Sequence, residues 1–117
     1  LPISFSDISA PFFGALEAME RFGPDNRRPV FITRHVIDRG YSRIAKEKHI
    51  RFYIAQYGHN VSFKGIGYHL AGKFTLVAGR QPIDIVYTLE EDSWKADSQG
   101  NMPRLKVLDF NPTEDLQ

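Results

Sequence analysis

The sequence has no cysteine, a single tryptophan, and no apolar run approaching the roughly 20 residues needed to cross a bilayer. Without cysteine there is no disulfide framework, no thiolate zinc site and no cysteine nucleophile; a reducing compartment fits that absence without being required by it. No signal-peptide pattern is present. The histidines His35, His49, His59 and His69 lie far apart and form no H-x-x-x-H or D-H-H pattern, and the acids are scattered. Two-metal hydrolysis needs several such groups converging on cations about 4 Å apart, so no metal site is expected here. No Gly-x-x-x-x-Gly-Lys loop cradles a phosphate, and no local signature organises a Ser-His-Asp triad. The chain is therefore expected to bind rather than to catalyse. Its 117 residues make one domain, large enough to need no covalent staple. It begins with Leu1 rather than Met, which suggests a piece of a longer protein.

A formal net charge of +1 conceals an uneven distribution. Residues 1–26 carry −3, residues 27–64 carry +7, residues 65–83 carry +2, and residues 84–117 carry −5. A basic stretch of that size inside a near-neutral domain points to a polyanion-facing surface. A solvated pair of basic strands balanced by acidic neighbours would give the same count.

Hydrophobic spacing divides the chain into a helix followed by strands. Ser9 as cap, Pro11 in the first turn and Gly23-Pro24 at the end bound a helix, and Phe12, Phe13, Leu16, Met19 and Phe22 recur at helical steps as a packing stripe. The N-terminal helix and lead-in occupy 1–26, a barrel 27–110, and a flexible acidic tail 111–117. Val30–Thr33 with Val36–Ile37 reads as a first strand. His49–Tyr57 alternates as a second, with Ile50, Phe52 and Ile54 inward and His49, Arg51, Tyr53 and Tyr57 outward. Tyr57-Gly58-His59-Asn60 makes a hairpin turn. The third strand runs from Val61 to about Tyr68, with Gly65 and Gly67 marking a bulge or tight bend. Residues 69–80 connect, with a short helical turn; Ile83–Leu89 and Leu105–Phe110 are the fourth and fifth strands, separated by a polar loop with Trp94.

Three strands, a connector and two more strands match the OB-fold, a five-stranded Greek-key barrel that binds oligonucleotides or oligosaccharides on its second and third strands and with its 1–2 and 4–5 loops. An open five-stranded α+β sheet or another small barrel would also fit. Recognition of single strands needs cations along a groove and aromatic faces for stacking. The outward face of the second strand supplies His49, Arg51, Tyr53 and Tyr57. The first strand and the 1–2 loop add Arg34, Arg39, Tyr41, Arg43, Lys46 and Lys48, the third strand Lys64, and the 4–5 loop Trp94 and Lys95. Each has a structural alternative. Tyr53 and Tyr57 could pack on the N-terminal helix, Trp94 could plug the barrel end or a domain interface, and the arginines could pair with Glu90, Glu91 and Asp92.

Five segments, in order, are similar to the OB domain of bacterial RecJ, the single-strand-specific 5′→3′ DNA exonuclease. Arg21-Phe22-Gly23-Pro24-Asp25-Asn26-Arg27-Arg28-Pro29-Val30-Phe31 resembles that family's P-F-G-x-x-N-x-x-P-x-F, with Arg21 in place of the proline. Lys48–Phe52 resembles K-H-L-K-L, Phe63–Tyr68 resembles F-x-A-I-x-F, Ile83–Glu91 resembles F-D-L-A-Y-x-L-E-x, and Leu105–Asp109 resembles the last five positions of L-Q-L-x-V-x-D. The family's N-E-W-x-G turn stands here as Asp92-Ser93-Trp94-Lys95-Ala96, followed by a longer insert through Pro103. The resemblance implies an accessory barrel that holds single-stranded DNA for a catalytic core of DHH and DHHA1 domains. It also implies no cofactor in this fragment, with Mg²⁺ or Mn²⁺ in the missing catalytic domain. Partners would be single-stranded DNA, that catalytic core and a single-strand-binding protein, with no membrane. The setting would be bacterial DNA repair and recombination in the cytoplasm. A protein-docking barrel with little DNA contact is the alternative.

Overall fold

The computed structural model describes residues 1–23, 28–92 and 102–114. Helix α1 (Ala10–Phe22) begins where Ser9 accepts a hydrogen bond from the Phe12 amide at 3.2 Å, and Pro11 takes a first-turn position that needs no N–H. Gly23 ends it, its amide bonded to the Met19 carbonyl at 2.7 Å. Phe13 is buried, and Phe12 and Leu16 pack on the core. Met19 and Phe22 are 65% and 80% exposed, which shortens the expected stripe. The side of α1 turned toward Pro29, Phe31 and Leu89 is instead Phe13, Leu16, Glu17 and Glu20, a one-face set at helical spacing.

Six strands follow: β1 (Phe31–Asp38), β2 (Arg43–Ala45), β3 (His49–Gln56), β4 (Ser62–Gly67), β5 (Ile83–Glu91) and β6 (Pro103–Pro112). A 3₁₀ turn at Ala71–Lys73 and helix α2 (Phe74–Ala78) fill the connector before β5. The strands pair in the order β1-β5-β6-β4-β3-β2, and β1 also pairs with β3, so the sheet closes. All pairings are antiparallel except β4 with β6. This is the OB-fold barrel read from the sequence. Its five strands are β1, β3, β4, β5 and β6, and the 1–2 loop contributes β2 as a sixth, short strand on the β3 edge. Strand β6 also extends to Pro112, into the stretch read as tail, and pairs Asn111 with Asp84.

Two local features allow closure. The register of β1 shifts between Thr33 and Val36, where His35 takes φ of 58°; before this bulge β1 pairs mainly with β5, and after it with β3. At the opposite wall Gly65 pairs with Leu105, and a Cβ on Gly65 would lie 3.1 Å from the Leu105 carbonyl oxygen. A side chain here would force the two strands apart by a few tenths of an ångström, so glycine suits the close approach of β4 and β6.

The core holds Ile50, Phe52 and Ile54 from β3, as the alternation predicts, with Phe31, Phe63, Ile85, Tyr87, Leu105 and Phe110. It also holds Phe5 and Ile8 from a segment that the periodicity left unassigned. Leu1–Ile3 lies alongside β1, with the Ile3 amide on the Ile32 carbonyl at 3.0 Å and the Ile32 amide on the Leu1 carbonyl at 2.9 Å. Ser4 and Asp7 then cap a 3₁₀ turn reciprocally, which sinks Phe5 edge-on against Phe63 at 5.1 Å. The Thr33 hydroxyl donates to the Ile3 carbonyl at 2.8 Å and lies 2.7 Å from the fully buried Tyr87 hydroxyl. Burial pushes the Tyr87 phenol up to about 12.

Candidate nucleic-acid interface

Strand alternation puts His49, Arg51 and Tyr53 on the outside of β3, successive members about 7 Å apart. The cross-strand register sets a neighbour beside each. Arg51 lies between Arg43 on β2 and Ile66 on β4; Tyr53 lies opposite Lys64, and His49 opposite Ala45. In the parallel pairing Ile66 is in turn beside Lys106 of β6. The outer surface is therefore a band of cations with an aromatic group on each flank.

On one flank Tyr41 meets Tyr53 edge-to-face at 5.7 Å. This corner is held by the backbone: the Tyr53 amide donates to the Ser42 hydroxyl at 2.9 Å, and the Ser42 amide to the buried Asp38 carboxylate at 3.1 Å. Tyr53 is half-buried with its ring edge-to-face against Tyr41, and Tyr41 remains 74% exposed. On the other flank His49 meets Tyr68 at 5.2 Å and His69 at 5.0 Å. The His69 amide donates to His49 Nδ1 at 2.9 Å, which leaves the ring proton on Nε2 and the imidazole neutral. Desolvation, then the nearby His69, Lys48 and Lys46, hold the His49 pKa below its ordinary value. His49 thus offers a flat ring and an N–H donor rather than a charge.

Arg39, Lys46 and Lys48 surround the band from the 1–2 loop, all exposed. Among the described residues no carboxylate lies within ion-pair distance of Arg39, Arg43, Lys46, Lys48, Arg51 or Lys106. Lys46 and Glu47 at the β2–β3 turn both have left-handed backbones, with φ of 53° and 63°. Such non-glycine positions are uncommon and carry strain.

Other expected residues lie elsewhere. Arg34 sits on β1, where it pairs with Asp84 at 3.2 Å and donates to the Glu114 carbonyl at 3.1 Å. Burial alone would raise the Asp84 pKa; hydrogen bonds from Thr113, the His35 amide and Arg34 outweigh it and hold the carboxylate below its usual range. Tyr57 stands exposed at the β3–β4 turn, its amide on the His35 carbonyl at 2.7 Å, at the far end of β3 from His49. Of the acids proposed as arginine partners, Glu90 does pair, but with Arg104. Trp94 and Lys95 lie outside the described residues. Lys106, Tyr68 and His69 were not singled out from the sequence. The alternation of β6, with Leu105 and Val107 buried around an exposed Lys106, was the available signal for the first. No sequence signal reports the approach of His69 to His49. Among the described residues no three His, Asp or Glu side chains are grouped so that they could hold a metal ion, and no helix is long and apolar enough to cross a membrane.

Comparison with known proteins agrees with this barrel. No curated protein matches the chain. A family model described as the RecJ OB domain matches residues 1–106, which spans β1 to β5 and the first residues of β6. With nearly the whole chain covered and the barrel closed as that domain requires, the protein belongs to the RecJ OB domain family.

Proposed function

We propose that this domain binds single-stranded DNA as the accessory barrel of a RecJ-like 5′→3′ exonuclease acting in repair and recombination. The observation that carries the reading is the band Arg43–Arg51–Lys106, unpaired among the described residues and flanked by Tyr41–Tyr53 and His49–Tyr68. Phosphates would lie on the cations. Bases would stack on the flanking rings, each stack contributing about 1–3 kcal/mol. Hydrolysis and its Mg²⁺ or Mn²⁺ would belong to DHH and DHHA1 domains elsewhere in the protein, on which this barrel would dock in the cytoplasm. A single-strand-binding protein is a further partner in this reading.

The test is fluorescence anisotropy of a labelled dT oligonucleotide with this chain at low salt. Affinity above that of a neutral control protein, lost steeply as salt rises, is expected. Binding no tighter than the control would end the proposal, and full affinity after joint Arg51→Ala and Tyr53→Ala substitution would remove β3 from the site. Exposed Met19 and Phe22 favour a second, compatible reading in which the far end of α1 docks on protein. Under docking alone, the oligonucleotide would not bind at all.

A further inference from the structure

The cations of the outer surface fall into two sets. Arg28, Arg34, Lys73 and Arg104 are neutralised by Glu20, Asp84, Asp109 and Glu90. Arg43 and Arg51 face each other directly across β2 and β3 with no such relief among the described residues. Like charges in directly opposed positions destabilise a sheet, so this pair costs folding energy that an anion would recover. The same transverse row continues through Ile66 to Lys106 and then to the uncharged Thr88 of β5. With strands about 4.8 Å apart, three cations lie along roughly 14 Å of surface.

The neighbouring row is different. From Tyr53 and Lys64 the surface leads toward Arg104, which is already occupied by Glu90, and then to Glu91 at the end of β5. A polyanion leaving in that direction meets the carboxylates Glu90 and Glu91, whereas one leaving over Lys106 meets the uncharged Thr88.

We propose that single-stranded DNA crosses the barrel transversely over Arg43, Arg51, Ile66 and Lys106 and leaves across β6, so that Lys106 is a phosphate contact and the acidic β5–β6 end is avoided. This rests on the single-stranded-DNA reading above and gives it a path. Ile66 supplies an aliphatic surface for a sugar or base between two phosphate contacts.

Binding of the dT oligonucleotide across a salt series tests it, with Lys106→Ala, Arg51→Ala and, as an off-row control with the same charge change, Arg21→Ala on α1. On the proposed path, Lys106→Ala weakens binding severalfold at low salt and lowers the slope of log K against log salt by about 0.7, as does Arg51→Ala, because each removes one single-strand phosphate contact. Arg21→Ala leaves the slope unchanged. If Lys106→Ala keeps the wild-type slope while Arg51→Ala loses it, the path is wrong and DNA binding stands. An equal loss from Arg21→Ala would mean a diffuse charge effect and also overturn the path. A wild-type chain that does not bind removes path and reading together.

Discussion

Thr33 and Tyr87 link β1, β5 and the N-terminal segment through one chain of hydroxyls, and the direction of that chain decides what each substitution costs. Thr33 donates to the Ile3 carbonyl, so Tyr87 must donate to Thr33. Tyr87→Phe removes only the first donor, and Thr33 keeps its own acceptor; the expected cost is about 1 kcal/mol. Thr33→Val strands the Tyr87 hydroxyl in the core and removes the partner of the Ile3 carbonyl. A buried orphan costs about 1–3 kcal/mol, and Ile3 is half-buried, so water recovers part of the second loss; the expected total is about 2–3 kcal/mol. In the double variant the orphaned hydroxyl is gone, so it should be more stable than Thr33→Val alone. Urea denaturation followed by far-UV circular dichroism measures all four proteins. A second signature lies at alkaline pH. The folded phenol titrates near 12 and the unfolded one near 10. Between these values the native state holds the extra proton, so stability declines as pH rises, by about 2–3 kcal/mol over the window. Tyr87→Phe should lack that part of the decline. A Thr33→Val protein no less stable than Tyr87→Phe, or a double variant weaker than Thr33→Val, would refute the chain of donors.

Three further outcomes are expected. Gly65→Ala should lower the unfolding free energy measured in urea by about 1–2 kcal/mol, because overpacking against Leu105 outweighs the chain-entropy gain; unchanged stability would mean that the β4–β6 approach is not tight. Glu47→Gly should stabilise by up to about 1 kcal/mol by relieving a left-handed turn position, and should tighten oligonucleotide binding by removing an acid beside the cations; lower stability would contradict the turn geometry. With its folded pKa below the unfolded value, His49 makes the native state bind fewer protons, so wild-type stability should fall as pH drops below about 6.5. His49→Gln should flatten that acid limb of a Tm-versus-pH series, and an unaltered limb would show that another group sets it.

Much of the barrel was legible because its signals are local. The strict alternation in His49–Gln56, the cap and stop of α1, and Gly58 at the hairpin each follow from a few neighbouring residues. The N-terminal segment was not, since Phe5 and Ile8 continue the three- and four-residue spacing of α1 yet lie before its Ser9 cap; only the Ser4–Asp7 spacing announces their separate capped turn. Strand β2 has three residues and exists because β3 offers it an edge. Met19 and Phe22 share the apolar character of the α1 stripe, but burial depends on where the barrel lies, which no spacing encodes. The same limit applied to the site. Outward direction was readable for Arg51 and Tyr53, whereas Arg34 was diverted by Asp84, fifty positions away in sequence. The alignment of Lys106 with Arg43 required the β4–β6 register.

That register also couples folding to recognition. The transverse row joins the 1–2 loop to the final strand through a parallel contact of only two residue pairs, Gly65 with Leu105 and Ile66 with Lys106. Such a long-range contact carries the closure entropy of the chain between β4 and β6. A ligand that bridges β3 and β6 would act as an external clasp on this seam, favouring the closed barrel by its own binding free energy. Amides in the β4–β6 seam would then slow in its presence more than those of the β3–β4 ladder, which runs through six consecutive residues, or of the β5–β6 ladder, which pairs nine.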